Sequence, residues 1–381
     1  MNCKTVLGIC LLAATFCSCQ QKTASPVAVE APVSLNPLMD NEGKPVNFGD
    51  PFMLRASDGR YYMYGTSESG SNDYCCYSSD DMVNWKNEGV CFAPEADCWA
   101  VDCFWAPEVY EIDGKFYMLH SANWRENPTN EGENFRIGVA VSDKPTGPFR
   151  PLMNRPIFDP GYPIIDANLL VAEDGRLYLY YSRCCYKHAV ESELSEKLRA
   201  EGKADAIEES WIYGVEIEKD FSGAIGEPVM LLCPPSKLDD PQTAWESQSA
   251  LSGEAQRRWT EGSFIFRHDD TYYMMYSSNF YGGPYYAVGY ATSKNPLGPF
   301  TKSADNPVLQ RNNDKGGEVF CTGHNMVLQD GDKMYCVYHA HTNYTDSLTQ
   351  AIYGNVRRIA FIDEMEITPE GKLVVHGPTT K

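Results

Sequence analysis

Three carboxylates and one imidazole recur at similar places along this sequence. Asp50 lies in GDP, Asp166 in IDA, Glu261 in EGS and His324 in GHN, each beside the start of an apolar stretch. Carboxylic acids in one site can divide the roles of general acid, which gives a proton, and general base, which takes one. Clustered like charges cost free energy and raise one another's pKa, so solubility alone does not favour such a cluster. We therefore interpret these residues as candidates for a reaction site, provided that the fold brings them together.

The segments that carry these residues share one pattern. A short apolar strand is followed by an acidic or glycine turn and then by an aromatic-rich strand, as in FMLRASDGRYYMYG from Phe52. The Asp-Gly pair in such a turn suits a tight hairpin, because both residues tolerate positive φ. Five copies begin near residues 50, 106, 166, 261 and 324, and one interval is much longer than the others. Repeats of this length built from short strands are typical of propeller blades.

The second half of each repeat adds another hairpin. IGVAVSDKPTGPFRPL (137–152) and VGYATSKNPLGPFTKS (288–303) are nearly the same element written twice. Two hairpins give four antiparallel strands per blade, so we predict an all-β, five-bladed β-propeller over residues 45–381. The long interval carries Leu194 and Leu198 at helical spacing, which predicts a partly helical insertion between the third and fourth repeats. Loops of this kind commonly shape substrate choice.

In a propeller the first strand of each blade lines the central channel. We expect the equivalent residues at the start of that strand to converge on one mouth of the channel, namely Asp50, Ala106, Asp166, Glu261 and His324. Hydrolysis of a glycosidic bond needs an acid for the leaving oxygen and a base or nucleophile on the other face of the sugar. Carboxylates on separate blades suit the separation of about 6.5–9.5 Å that an inverting enzyme needs for its water.

At these residues the chain resembles the family 43 glycoside hydrolases. The resemblance covers roughly residues 45–375 and depends on GDP, WAPE, IDA, EGS and GHN occurring in that order. It implies a five-bladed propeller that acts on arabinose- and xylose-containing polysaccharides, as arabinofuranosidases, xylosidases and arabinanases do. Ala167 and Ser263 stand where the family usually has proline.

The resemblance also implies a role for each candidate residue. Asp50 resembles the general base that activates water, Glu261 the general acid, and Asp166 the carboxylate that orients the acid and raises its pKa. His324 falls where many members have a histidine that helps to hold a calcium ion on the channel axis. Its alternative is a channel histidine with structural hydrogen bonds only. No organic cofactor is expected.

Three further residues are candidates for substrate binding. Trp105 and Phe104 are expected to wall the sugar site, although aromatic residues at blade boundaries also pack in the core. Arg357 is expected to reach a sugar hydroxyl, and a surface ion pair is the alternative for it or for its neighbour Arg358.

The charge of the chain limits its partners. With 32 basic and 52 acidic residues the net charge is −20, which disfavours nucleic acid and anionic membranes. A neutral polysaccharide or oligosaccharide is the partner that we expect. Two alternatives stay open: a non-catalytic, surface-anchored propeller that binds glycans, and a related five-bladed glycosidase that acts on another sugar such as galactan.

The first residues have the features of an export signal. The apolar run between Val6 and Phe16 is too short to span a bilayer and is followed by Ser18-Cys19. We predict a lipoprotein-type signal peptide over 1–19, a tether over 20–44 and a lipid anchor at Cys19, which would be the chain's only membrane contact. The protein would then be attached to the cell envelope of a bacterium, and plain secretion is the alternative.

The cysteines do not indicate a metal site. No pair has the spacing of a zinc site, and export permits disulfide bonds. Cys91, Cys98 and Cys103 lie in one predicted loop and are the residues that we expect to bridge, with no pairing assigned.

Overall fold

The structure is a computed structural model that describes residues 35–67, 70–127, 132–311, 319–341 and 357–380. Within these ranges the chain forms five four-stranded antiparallel sheets. They are the blades of a five-bladed propeller, so the predicted fold is confirmed. No helix in this part of the chain has the length and apolar character needed to cross a membrane.

The blades follow one another along the chain, and each blade hydrogen-bonds in the order in which its strands occur. The first contains β1 (Phe48–Arg55), β2 (Tyr61–Ser67), β3 (Tyr74–Ser79) and β4 (Lys86–Phe92). The second contains β5 (Trp105–Ile112), β6 (Lys115–Asn123), β7 (Phe135–Ser142) and β8 (Arg150–Pro151). The third contains β9 (Ile164–Val171), β10 (Leu177–Arg183), β12 (Trp211–Ile217) and β13 (Ala224–Leu232), with β11 described below.

The last two blades have the same construction. The fourth contains β15 (Thr260–His268), β16 (Thr271–Ser278), β17 (Ala287–Ser293) and β18 (Thr301–Lys302). The fifth contains β19 (Phe320–Asp330), β20 (Lys333–His341), β21 (Ile359–Ile367) and β22 (Leu373–Val375). The predicted turns close the first hairpins, with φ of 85° at Gly59 and 75° at Gly114. Glycine suits these positions because positive φ carries no Cβ clash there.

The helical insertion lies in two places. Helix α1 (Glu193–Ala200) and β11 (Glu208–Glu209) lie inside the third blade, between β10 and β12. Helices α2 (Thr243–Glu246) and α3 (Gln248–Ser252) and strand β14 (Arg257–Arg258) lie between the third and fourth blades. The predicted partly helical insertion is therefore present, and the structure divides it between these two loops. A long interval in the sequence does not show which loop has grown, because surface loops accept extra residues without changing the strand pattern.

The two parts of the insertion are joined to each other. Strands β11 and β14 pair in parallel. The side chains of Arg258 and Glu209 form an ion pair in which each is only 1% exposed. Arg258 also donates to the carbonyl oxygen of Pro235 at 2.7 Å and to Oγ of Ser192, the residue that caps α1. A buried charge needs such partners, so this arginine fixes both loops in one position.

The folded part begins earlier than predicted. Asn36, which the sequence assigned to the tether over 20–44, exchanges hydrogen bonds of 2.9 and 2.7 Å with the backbone of Ile362 in β21. The backbone amide of Leu38 donates to the carbonyl of Ala360 at 3.1 Å, and the Leu38 side chain is buried. A domain start at residue 45 is therefore too late. The predicted signal peptide and Cys19 lie outside the described residues.

Candidate active site

A β-bulge interrupts the first strand of every blade near its start. One residue of each bulge has positive φ, between 46° and 58°; these are Asp50, Ala106, Asp166, Gly262 and His324. The backbone amide of each donates to a side chain on the second strand of the preceding blade; the acceptors, at 2.8–3.2 Å, are His339, Thr66, Ser121, Ser182 and Ser277. This repeated contact closes the ring and fixes the direction of each bulge.

The bulges correct the predicted alignment of the fourth blade. Gly262, and not Glu261, is the residue equivalent to Asp50 in the first blade. Glu261 comes one residue earlier, where the first and fifth blades have Gly49 and Gly323. Sequence matching aligned the carboxylates by type, but the backbone bulge decides which residues are equivalent.

Asp50 is surrounded by positive charge and hydrogen-bond donors. Its Oδ1 lies 2.8 Å from Nη1 of Arg358 and 3.2 Å from Nδ1 of His324, and its Oδ2 accepts from the hydroxyl of Thr66 at 2.5 Å. Burial favours a higher pKa for this carboxyl, but Arg358 and the neighbouring histidines outweigh burial and hold the pKa below its ordinary value. Asp50 is therefore a carboxylate near neutral pH.

Glu261 and Asp166 form a second, protonatable pair. Burial first, and then the negative charge of Asp166, raise the pKa of Glu261 well above its ordinary value. Asp166 accepts from the hydroxyl of Ser182 at 3.1 Å and from the amide of Gly262 at 3.2 Å, whereas Glu261 accepts from the hydroxyl of Tyr286 at 3.1 Å. Burial also raises the pKa of Asp166. The two hydrogen bonds that Asp166 accepts, one of them from a backbone amide, stabilise its charged form, and this favours the proton on Glu261.

These side chains line one cavity of about 260 Å³. Its lining includes Asp50, Asp166, Glu261 and His324, which come from four different blades. The site therefore holds an ionised carboxylate and a protonated carboxyl in one cavity. That pair can take a proton from one oxygen and give a proton to another in the same step.

The described residues do not form a direct calcium site. Calcium takes about six to eight oxygen ligands. In the described part of the chain no group of three or more His, Cys, Asp or Glu side chains is arranged to hold a metal ion. Nδ1 of His324 faces Asp50, whose carboxylate also binds the Arg358 cation. The side chains near His324 therefore do not fit an ion bound directly by the protein.

The family model described as "Glycosyl hydrolases family 43" matches residues 43–373. The chain belongs to glycosyl hydrolase family 43. Its members are glycosidases, so this chain is a glycosidase too.

Relatives of this family 43 enzyme cover most of its length. A xylosidase/arabinosidase of Bacteroides ovatus is 30% identical over 303 residues, 74% of this chain and 82% of the relative. A β-D-galactofuranosidase of Aspergillus niger is 25% identical over 342 residues, 86% of this chain and 82% of the relative. The crystal structure of a thermostable family-43 glycoside hydrolase is 33% identical, with a TM-score of 0.72, and covers 90% of this chain and 96% of that one.

Of the three residues that the sequence predicted to bind substrate in the family 43 enzyme, one lines the cavity and two lie elsewhere. Trp105 lines the cavity. Phe104 is only 3% exposed, its ring packs against those of Phe92 and His120 in the core, and it is not among the residues that line the cavity. Arg357 is exposed and is not among the residues that line the cavity, whereas its neighbour Arg358 is; a contact of Arg357 with a sugar hydroxyl stays a prediction.

The sequence did not predict two of the contacts made by the carboxylates. Arg358 binds Asp50, and Tyr286 binds Glu261. Two motif glycines, Gly49 and Gly323, indicate that large side chains pack against the backbone at these positions. A Cβ on Gly49 would lie 1.9 Å from Cζ of Arg358, and a Cβ on Gly323 would lie 2.1 Å from Cε1 of Tyr286. The glycines of GDP and GHN leave room for these two side chains.

All ten cysteines in the described residues are free. Cys91 and Cys98 are buried, and Cys103 is partly buried. The bridge expected in this loop is thus not formed. Burial raises the pKa of the Cys91 thiol well above its ordinary value, which makes it an inert apolar side chain.

Proposed function

We propose that this family 43 glycosidase cleaves arabinose- or xylose-containing plant polysaccharides or oligosaccharides and inverts the anomeric configuration. The observation that carries the proposal is the different surroundings of two buried carboxyl groups in one cavity, since Asp50 is paired with the Arg358 cation and Glu261 accepts from the hydroxyl of Tyr286. Arg358 and the histidines favour the charged form of Asp50, whereas burial and Asp166 favour the neutral form of Glu261. One group is ready to accept a proton, and the other to give one.

In this mechanism Asp50 removes a proton from water as the water oxygen attacks the anomeric carbon. The bond between that carbon and the glycosidic oxygen breaks, and its electron pair goes to the oxygen. Glu261 donates its proton to the same oxygen, so the leaving sugar departs as an alcohol. Asp166 keeps Glu261 protonated and oriented until that moment. No covalent intermediate forms, and the attack from the opposite face inverts the configuration.

The choice of sugar follows the relatives. The relative from Bacteroides ovatus is named for xylose and arabinose, whereas the one from Aspergillus niger is named for galactofuranose. We therefore favour pentosides, and keep a different sugar such as galactan or galactofuranoside as the second candidate.

The test is a substrate panel with matched variants. Aryl α-L-arabinofuranoside, aryl β-D-xyloside, arabinan, arabinoxylan and an aryl galactofuranoside are incubated with the wild type, with Asp50→Asn and with Glu261→Gln. Hydrolysis of a pentoside by the wild type, lost in Asp50→Asn, supports the proposal. Tight binding of these glycans without sugar release would instead support a non-catalytic glycan-binding propeller.

For calcium we propose only a hydrated ion that His324 holds through water, with no part in the chemical step. Chelation is expected to lower the melting temperature of the wild type, because removal of a ligand of the native state lowers stability. His324→Gln should abolish that response. An unchanged melting temperature in the wild type would leave His324 with its hydrogen-bonding role alone.

We also propose that the protein is exported and lipid-anchored at Cys19 in the bacterial cell envelope. The motif around Ser18-Cys19 supports this proposal. Metabolic labelling with a fatty acid should mark the wild type and not Cys19→Ser. Label in neither protein, with both secreted, would support plain secretion.

A further inference from the structure

The insertion contributes one side of the cavity. Tyr186 and Arg257, one from each part of the insertion, line the cavity together with Trp259. The guanidinium of Arg257 lies 4.9 Å from the ring centroid of Tyr186, a cation–π contact. Nε of Arg257 donates to Oε2 of Glu208 at 2.9 Å. Loops outside the repeated blades thus bring a charged and an aromatic side chain to the site.

The pairing of β11 with β14 holds Arg257 in position. In the parallel pair of β11 and β14, Glu208 lies opposite Arg257 and Glu209 opposite Arg258. Successive side chains of a strand point to opposite faces. The buried pair of Arg258 and Glu209 anchors one face, and this leaves Arg257 on the opposite face, where it lines the cavity and donates to Glu208. Arg257 is therefore held in place before any ligand arrives.

Arg257 lies on the side of the general acid. Arg257 lies in β14, directly before β15, which carries Glu261, and both side chains line the cavity. The base has a different arginine, since Arg358 binds Asp50 and lies 5.1 Å from the ring of Tyr281. The acid protonates the leaving oxygen, so the sugar that departs lies on the side of Arg257.

The chemistry of Arg257 selects the kind of ligand. Only its Nε is engaged, because within the described residues no hydrogen bond to either terminal nitrogen is present. A guanidinium is a rigid donor suited to paired oxygens. Glu208 already neutralises the charge of Arg257, so this part of the cavity has no excess positive charge to attract a uronate. It suits the neighbouring hydroxyls of a neutral sugar, whose apolar face can stack on Trp259 or Tyr186.

We propose that Arg257, held by Glu208 and Tyr186, binds the hydroxyls of a neutral sugar on the leaving-group side and sets the preference for oligosaccharides. This inference rests on the proposed glycosidase function. It concerns a feature that belongs to the insertion and not to the repeated blades.

The test compares substrates with and without a leaving sugar. Arg257→Met keeps the apolar stem over Tyr186 and removes the donors. Its kcat/KM on unbranched pentose oligosaccharides should fall about tenfold or more, since hydrogen bonds to a charged donor are lost. On a 4-nitrophenyl pentoside, which has no leaving sugar, kcat/KM should stay within about twofold of the wild type. Unchanged activity on the aryl substrate also shows that the variant is folded.

The matched control is Arg199→Met. Arg199 lies in the same insertion, is 44% exposed and pairs with Glu191 outside the cavity. Arg199→Met should leave kcat/KM unchanged for both substrates. The inference is overturned if Arg257→Met lowers kcat/KM equally for both substrates, or if it lowers kcat/KM for neither.

Failure of the proposed function would look different, because the wild type would then hydrolyse neither substrate. The proposed site is in that case tested by calorimetric titration of the same oligosaccharides. A loss of affinity of about tenfold in Arg257→Met supports the site. Equal affinities in the two proteins contradict it.

Discussion

Nη1 of Arg358 lies 2.8 Å from Oδ1 of Asp50, so a cation from the fifth blade fixes the charge of a carboxylate in the first. The pair joins the last blade to the first and lies in the cavity itself. Structural closure of the ring and ionisation of the proposed base thus depend on the same contact.

Replacing Asp50 by asparagine is expected to remove hydrolysis of every substrate. The amide still accepts a hydrogen bond from Thr66, but it cannot take a proton from water. We expect kcat to fall by about 10²–10⁴-fold, for aryl and sugar leaving groups alike. Steady-state kinetics and a thermal melt measure the effect and confirm the fold. Activity within about tenfold of the wild type would exclude Asp50 as the base.

Replacing Arg358 by methionine should move the acidic limb of the pH–rate profile. In the wild type the pKa of Asp50 is held below its ordinary value, so the base is ionised to low pH. Loss of the cation lets that pKa rise, and activity should then be lost at a higher pH as the solution is acidified. Arg357→Met is the control, since Arg357 is exposed and outside the cavity. Equal profiles for the two variants would contradict this account.

Replacing Glu261 by glutamine should separate good leaving groups from poor ones. A sugar alcohol needs a proton as it departs, whereas an acidic phenol departs with little help. We expect a loss of about 10²–10⁴-fold on oligosaccharides and a much smaller one on 4-nitrophenyl glycosides. A series of aryl glycosides with graded phenol pKa measures the slope. If good and poor leaving groups slow equally, Glu261 is not the general acid.

Replacing Asp166 by asparagine should move the basic limb of the pH–rate profile. Burial and the charge of Asp166 raise the pKa of Glu261, which keeps the acid protonated as pH rises. Removal of that charge lowers the pKa, so activity should be lost at a lower pH on the alkaline side. The acidic limb, which belongs to Asp50, should move less. A basic limb that stays in place would leave Asp166 a structural role only.

The repeats were enough to predict the propeller. Asp-Gly turns recur in four of the five blades and aromatic second strands in every blade, and these local signals agree with the global fold. The bulges were not predictable in the same way. A bulge shifts the register by one residue, so Glu261 and Gly262 exchange the places that a match by residue type gives them.

The site was predictable as far as its residues lie on the repeated strands. Asp50, Asp166 and His324 follow the pattern, and the structure brings them to one cavity. Arg257 and Tyr186 belong to the insertion, which has no repeat to compare with. The choice between Arg357 and Arg358 depends on which face of the chain turns inward, and the short sequence before β21 has no alternation that decides it.

The stereochemistry of the product tests the central claim most directly. Proton NMR of a fresh digest of an aryl pentoside, recorded before mutarotation, identifies the anomer that is released first. Direct attack by a water that Asp50 activates predicts the opposite anomer to that of the substrate. Release of the anomer found in the substrate would contradict the account, because it requires a covalent glycosyl-enzyme intermediate and a nucleophile in place of a base.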